Sequence, residues 1–178
     1  CDFFRYGERW MSDEGMDALN DLGVPCDLSL EPGHGELPSF NPDKPHTGFI
    51  LSQRDVPCRP YRPLRGNFRK EDREKRTGIW EVPLTTAQLG PRFKLWRKPE
   101  TQTANLYLPP RTIGRVVRSA LSKEAPYLAL VARTDVFSNA GYFRNFQASL
   151  DALLDHRSAG RFVFSSPIET VSTLRAAN

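Results

Sequence analysis

The stretch Tyr127-Leu-Ala-Leu-Val-Ala-Arg133 is a continuous apolar run, bounded by Pro126 on one side and Thr134-Asp135 on the other. A run without polar alternation reads as a strand covered on both faces, as in a parallel sheet. Helical patterns stand on either side of it. Residues 111–121 put Ile113, Val116, Val117, Ala120 and Leu121 on one side, and residues 142–156 put Phe143, Phe146, Leu150, Leu153 and Leu154 at the 3.6-residue period. Arg161-Phe-Val-Phe-Ser165 reads as the next strand. Ser166 then caps a last helix, with Pro167 at its first position and Glu169 three residues after the cap, a capping box. Helix, strand, helix, strand, helix in that order predicts right-handed crossovers onto a mainly parallel sheet, an α/β chain.

The same alternation opens the sequence. Asp2-Phe3-Phe4-Arg5 reads as the tail of a buried strand, so the chain is expected to start inside a fold. Ser12 is placed to cap a helix over residues 13–22: Asp13 and Glu14 suit its positive end, Met16, Leu19 and Leu22 form its stripe, and Gly23 stops it. Cys26-Asp-Leu-Ser-Leu30 alternates as a short strand, and Gly78-Ile-Trp-Glu-Val-Pro-Leu84 as another, limited by Pro83, which has no N–H to donate. Between them, residues 31–77 carry Pro38, Pro42, Pro45, Pro57, Pro60 and Pro63 and read as one long irregular stretch of the kind that is usually functional or disordered. In α/β folds the chemistry gathers at the carboxyl ends of strands, which here carry Arg5, Asp27, Arg133, Asp135 and Ser165.

Composition narrows the function classes. With 178 residues, 39% hydrophobic and 26% charged, the chain suits one domain over residues 1–178 with a sizeable core. No apolar run approaches the ~20 residues of a membrane span. The 25 Lys+Arg against 21 Asp+Glu leave +4, a weak argument for a polyanion partner. Arginines crowd residues 54–76 beside Tyr61 and Phe68, but Asp55, Glu71, Asp72 and Glu74 interrupt them, so the stretch reads as a solvated loop and no nucleic-acid partner is expected. Cys1, Cys26 and Cys58 have neither disulfide-scaffold nor zinc-ligand spacing. His34 and His46, in the long stretch, read as exposed loop histidines, and His156 as a partner of its helix dipole. Trp10, Tyr61, Trp80 and Trp96 could stack on sugar rings; Trp80, on a strand, reads as core, while Trp10 and Tyr61 are the better cleft candidates.

Several motifs, taken in order, resemble the C-terminal half of a polysaccharide deacetylase domain of the chitooligosaccharide and peptidoglycan deacetylase type. Phe4-Arg5-Tyr6-Gly7 with Arg9-Trp10 is similar to the family's strand end, and residues 16–23 to the helix after it. Asp27-Leu-Ser-Leu-Glu-Pro-Gly33 is similar to its turn, Arg59-Pro-Tyr-Arg-Pro63 to its "PYRP" loop and Trp80-Glu-Val-Pro-Leu84 to its following strand. Residues 128–133 and 162–169 resemble the last two strands and the closing helix.

The resemblance implies a partial (β/α) barrel of the polysaccharide deacetylase type, with mainly parallel strands and long loops, truncated at its N-terminus. It implies part of a metal-dependent hydrolase, of the class acting on carbon–nitrogen bonds other than peptide, that removes N- or O-acetyl groups from a polysaccharide or oligosaccharide. An Asp and two His of the parent hold a divalent metal, zinc or similar, which polarises the acetamide carbonyl and activates water. Those ligands and the base belong to the missing N-terminal half, a partner of this chain in the fold, so the chain alone is expected to hold no metal and to be inactive. Arg5 corresponds to the arginine that pairs with the catalytic Asp, although Gly7 stands where the family often has Pro. Asp27 lies where a carboxylate orients the acidic His, and Arg133, Trp10 and Tyr61 are the implied substrate contacts. The family's acid lies in Leu-x-x-His, whereas this chain has Leu130-Val-Ala-Arg133. Arginine does not give up its proton at useful pH, so Arg133 can bind an anion or steady an oxyanion but cannot be the general acid. The alternative reading is therefore a degenerate domain that grips glycan without hydrolysing it. Sugar, compartment (bacterial cytoplasm or cell envelope) and oligomeric state stay open at this level.

Overall fold

Caps and apolar periods set the helices, and turn residues set the strands between them. In a computed structural model that describes residues 1–38, 49–74, 77–90, 99–123, 127–132, 138–156, 160 and 162–176, the elements run in this order. Helix α1 (Asp13–Asp21) is followed by strands β1 (Cys26–Asp27), β2 (Leu37–Pro38), β3 (Phe49–Ile50), β4 (Pro63–Leu64), β5 (Asn67–Glu71), β6 (Trp80–Glu81), β7 (Thr86–Leu89) and β8 (Glu100–Thr103). Helices α2 (Pro110–Leu121), α3 (Ala140–Leu154) and α4 (Pro167–Ala176) complete the chain. Two compact units result, Cys1–Pro83 with Ser165–Asn178, and Leu84–Phe164.

The first unit is built on α1 and a short parallel arrangement. The Ser12 hydroxyl accepts the Gly15 N–H at 3.0 Å, and Gly23, at φ 72°, ends the helix in a left-handed turn that a side chain would strain. Met16 and Leu19 are buried, but Leu22 is the C-cap and 79% exposed, so the apolar stripe stops one turn short of the sequence expectation. β1 and β6 pair in parallel, Cys26 with Trp80 and Asp27 with Glu81. Phe4 adds a parallel bridge on the far side of Asp27, donating its N–H to the Cys26 carbonyl at 2.8 Å and accepting from Leu28 at 2.9 Å. The core gathers Met11, Met16, Leu30, Tyr61, Phe68 and Ile79.

The described residues of the stretch 31–77 are more ordered than its prolines indicate. β2 pairs antiparallel with β3, and β4 with β5 through a hairpin whose Gly66 sits at φ 72°. Side chains of α1 hold this hairpin. Asp13, Asp17 and Asp21 recur every four residues and so share one helix face. Asp13 accepts the Phe68 N–H at 2.9 Å, Asp17 accepts the Gly66 N–H at 3.2 Å, and Asp21 takes both prongs of Arg65 at 2.7 and 2.8 Å. α4 begins with the predicted box: the Ser166 N–H and hydroxyl both donate to Glu169 at 2.7 Å.

In the second unit β7 pairs antiparallel with β8, Thr86 opposite Thr103. The apolar run, expected as a strand covered on both faces, forms only an isolated bridge among its described residues, which are half-buried up to Val131: Val131 bridges Asn105 in parallel, its N–H bonded to the Ala104 carbonyl at 3.1 Å, and Ala129 donates to the Thr85 hydroxyl at 2.9 Å. α2 packs on β7 and on α3 with Ile113, Val116, Val117 and Ala120 buried, as its period predicts. Residues 162–165, expected as a strand, carry no strand pairing in this structure, and Val163 and Phe164 are exposed. Arg133, Asp135, His46 and Trp96 lie outside the described residues.

Candidate functional site

The parallel placement of Phe4 beside β1 brings two strand ends together within the first unit. Arg5 leaves the end of one strand; Asp27, Ser29 and Glu31 leave the end of the other. The Tyr6 N–H donates to the Ser29 hydroxyl oxygen at 2.7 Å, which ties the two segments after the strands have ended. Arg5 then spans the gap, donating from Nη1 to the Leu28 carbonyl at 3.3 Å and from Nη2 to Glu31 Oε1 at 3.4 Å.

Glu31 is the centre of a cluster. Its other oxygen lies 3.9 Å from Arg9 Nε and 3.6 Å from His34 Nε2. Its backbone N–H donates to Gln53 Oε1 at 2.6 Å, and the Gln53 amide donates in turn to the Arg9 carbonyl at 2.7 Å. Gln53 is buried, so it fixes the Glu31 turn and the Arg9 turn to each other. Arg9 holds φ 63°, the left-handed region, at a cost of about 1–2 kcal/mol for a residue with a Cβ. The surrounding bonds hold that strain. His34 is half-buried, not an exposed loop histidine. Burial first, then the charge of Arg9, pulls its pKa down to about 4, so at neutral pH the imidazole is uncharged.

Asp27 is completely buried. It accepts the Ser29 N–H at 2.9 Å and the Ser29 hydroxyl at 2.7 Å. Burial raises its pKa, opposed by hydrogen bonds from Glu81 and Ser29. Asp27 can therefore meet no ligand directly and acts only through Ser29 and its neighbours.

The aromatic candidates separate. Trp10 is 38% exposed and stands edge-on to Tyr6 at 4.8 Å, which stands edge-on to Phe4 at 4.6 Å. A Cβ at Gly15 would lie 3.4 Å from the Trp10 ring, an ordinary contact distance, so the indole rests against α1 with part of its surface open. Tyr61 is wholly enclosed; its hydroxyl donates to the Phe68 carbonyl, and its ring offers no face to a sugar because the core covers it. Trp80 is core, as expected, with the Arg62 guanidinium 4.3 Å above its ring.

The structure thus brings Arg5 and Asp27 to one end of the first unit and leaves Trp10 partly open. It also adds Arg9, Glu31, His34 and Gln53, none of which the sequence reading placed among the site residues. The Glu31-Pro-Gly-His34 turn directly after a strand carried a usable signal, two polar groups three residues apart in a tight turn. Gln53, twenty-two residues from Glu31, carried none. Among the described residues no three His, Cys, Asp or Glu side chains converge as a metal requires. No protein-family model, no curated protein and no solved structure matches this chain.

Proposed function

We propose that this chain forms part of a carbohydrate deacetylase that hydrolyses N- or O-acetyl groups of a polysaccharide, with the Arg5 cluster as its contribution to the substrate site. In this reading Phe4, β1 and β6 are neighbouring staves of a partial (β/α) barrel. The observation that carries it is the convergence of Arg5, Arg9, Glu31 and His34 at the ends of two parallel strands, beside the open indole of Trp10.

The chemistry fits a hydroxyl-rich, acyl-bearing ligand. Two guanidiniums sharing one carboxylate keep donors to spare, and guanidinium donors suit the carbonyl or developing oxyanion of an acyl group. A partly exposed indole suits the apolar face of a sugar ring. Asp27, held by Ser29, is a positioning residue. The divalent metal of the reading belongs to the parent protein, and no step is assigned to it on the described residues.

Arg133 favours a second reading. An arginine where the deacetylase pattern has its acid cannot protonate a leaving amine, which would leave a glycan-binding domain without hydrolysis. Calorimetric titration with an N-acetylated chitooligosaccharide and with an O-acetylated oligosaccharide tests both. Binding of at least one is expected, weakened about tenfold or more by Arg5→Ala, equivalent to ~1.4 kcal/mol. Acetate released by the parent protein with zinc present separates the first reading from the second. Absence of binding to either sugar overturns both.

A further inference from the structure

Asp27 and Glu81 are register partners on the parallel pair β1–β6, and both are wholly buried. Register partners present their side chains on the same face of a sheet, so two carboxyl groups share one enclosed space. Asp27 has its donors in Ser29. Neither Glu81 oxygen meets a conventional donor with bonding geometry. An ionised Glu81 would be a buried charge beside a second carboxyl group, and the Leu30 backbone, which alone favours that form, is outweighed by burial and by Asp27. A protonated Glu81 has an acceptor in its neighbour Asp27, to which its single O–H can donate.

We propose that Asp27 and Glu81 form a carboxyl pair holding a single proton, and that this proton anchors the segment carrying Arg5. The proton resides on Glu81, which donates to Asp27. Asp27 accepts from Glu81 and from Ser29, and Ser29 accepts from the Tyr6 N–H, one residue after Arg5. Glu81 is thus a positioning residue for Arg5, acting through Asp27 and Ser29. The neighbouring elements bring other titratable groups. They are Cys26 on β1, Arg5 after Phe4, Tyr61 and Arg62 on the bridging segment, and Glu169 and Arg175 on α4, which packs on β1. After burial itself, Asp27 and Cys26 favour the protonated form of Glu81, and only the Leu30 backbone hydrogen bond opposes them.

The pair rests on the register and burial of β1–β6 and stands whether or not the chain acts on carbohydrate. Removing the proton places two like charges in one buried site. The folded-state pKa of Glu81 lies above its ordinary 4.5, so stability from this group is whole below that value and is lost as pH rises toward the folded pKa.

Carboxyl-carbon NMR of the free chain, titrated with pH, tests the proposal. The Glu81 signal should keep its protonated position well above the ordinary 4.5, and the Tyr6 and Ser29 amide signals should move with the Glu81 midpoint when it is reached. Glu81→Gln, which keeps a donor to Asp27, should fold and lose the part of the alkaline decline in melting temperature that Glu81 causes; Glu81→Ala should not restore stability at any pH. A Glu81 midpoint near 4.5, or Tyr6 and Ser29 signals indifferent to it, overturns the pair.

Discussion

Arg5 and Glu31, twenty-six residues apart, meet at 3.4 Å just beyond the parallel bridge between Phe4 and β1. The pair is asymmetric: the Arg5 side chain is 31% exposed, the Glu31 side chain 12%. Glu31 is therefore the enclosed anchor, and Arg5 is the member with surface left for a ligand. Glu31→Gln leaves Arg5 and Arg9 without their shared counter-charge while keeping the side chain's shape. It should lower the unfolding free energy by about 1–3 kcal/mol, the range for hydrogen bonds to charged groups after allowance for the solvent reaching Arg5. Arg5→Ala should cost less stability than Glu31→Gln. Urea unfolding of both variants checks the order.

The three aspartates of α1 give a second ranking. Asp13 accepts from the part-buried Phe68 N–H, whereas Asp21 pairs with Arg65 in the open. Asp13→Ala strands a backbone donor and should cost on the order of 1 kcal/mol or more. Asp21→Ala removes an exposed ion pair and should cost less than ~1 kcal/mol, shrinking further in high salt. Thermal melts at low and high salt distinguish the two.

His34 gives the first unit an acid-sensitive edge. Its pKa falls from the ordinary 6.5 to about 4 on folding, through burial and then Arg9. The unfolded chain therefore takes up a proton first. Stability from this group is whole above 6.5 and declines as pH falls toward 4, by at most ~1.4 kcal/mol per pH unit. This is opposite in sign to the contribution of Glu81. His34→Gln should flatten that part of the decline, measured by chemical unfolding at a series of pH values.

The cysteines should separate by exposure. Cys26 is buried while Cys1 and Cys58 are exposed, and burial followed by the Asp27 charge pushes the Cys26 thiol up to about 12. Alkylation of the native chain near neutral pH should mark Cys1 and Cys58 and spare Cys26, and unfolding should open Cys26 to the reagent. Mass spectrometry of the labelled peptides reads this directly.

Much of the helical framework was legible because its signals are local. Ser12, Gly23, Ser166 and Glu169 act within one turn of the residues they cap, and the apolar period of α2 reports its own buried face. The strands were less legible. β1 and β6 are two residues long, and what sets their limits is a partner more than fifty residues away in sequence. The proline-rich stretch concealed β4–β5 because that hairpin is held by α1, through backbone donors that no side-chain pattern records. Arg5 and Asp27 were legible as strand-end residues. Glu31 and His34 became site residues only because Gln53 and Arg9, distant in sequence, close the turn around them.

The most direct measurement is to map an acetylated glycan onto the chain by amide NMR. The N-acetylated chitooligosaccharide and the O-acetylated oligosaccharide are each titrated in, with their deacetylated forms as controls. The account predicts that at least one acetylated sugar shifts the amides of Tyr6, Trp10 and His34 and the side-chain signals of Arg5 and Trp10, and that its deacetylated form does so more weakly. Shifts confined to other surfaces, or none with either sugar, would contradict a carbohydrate site at Arg5.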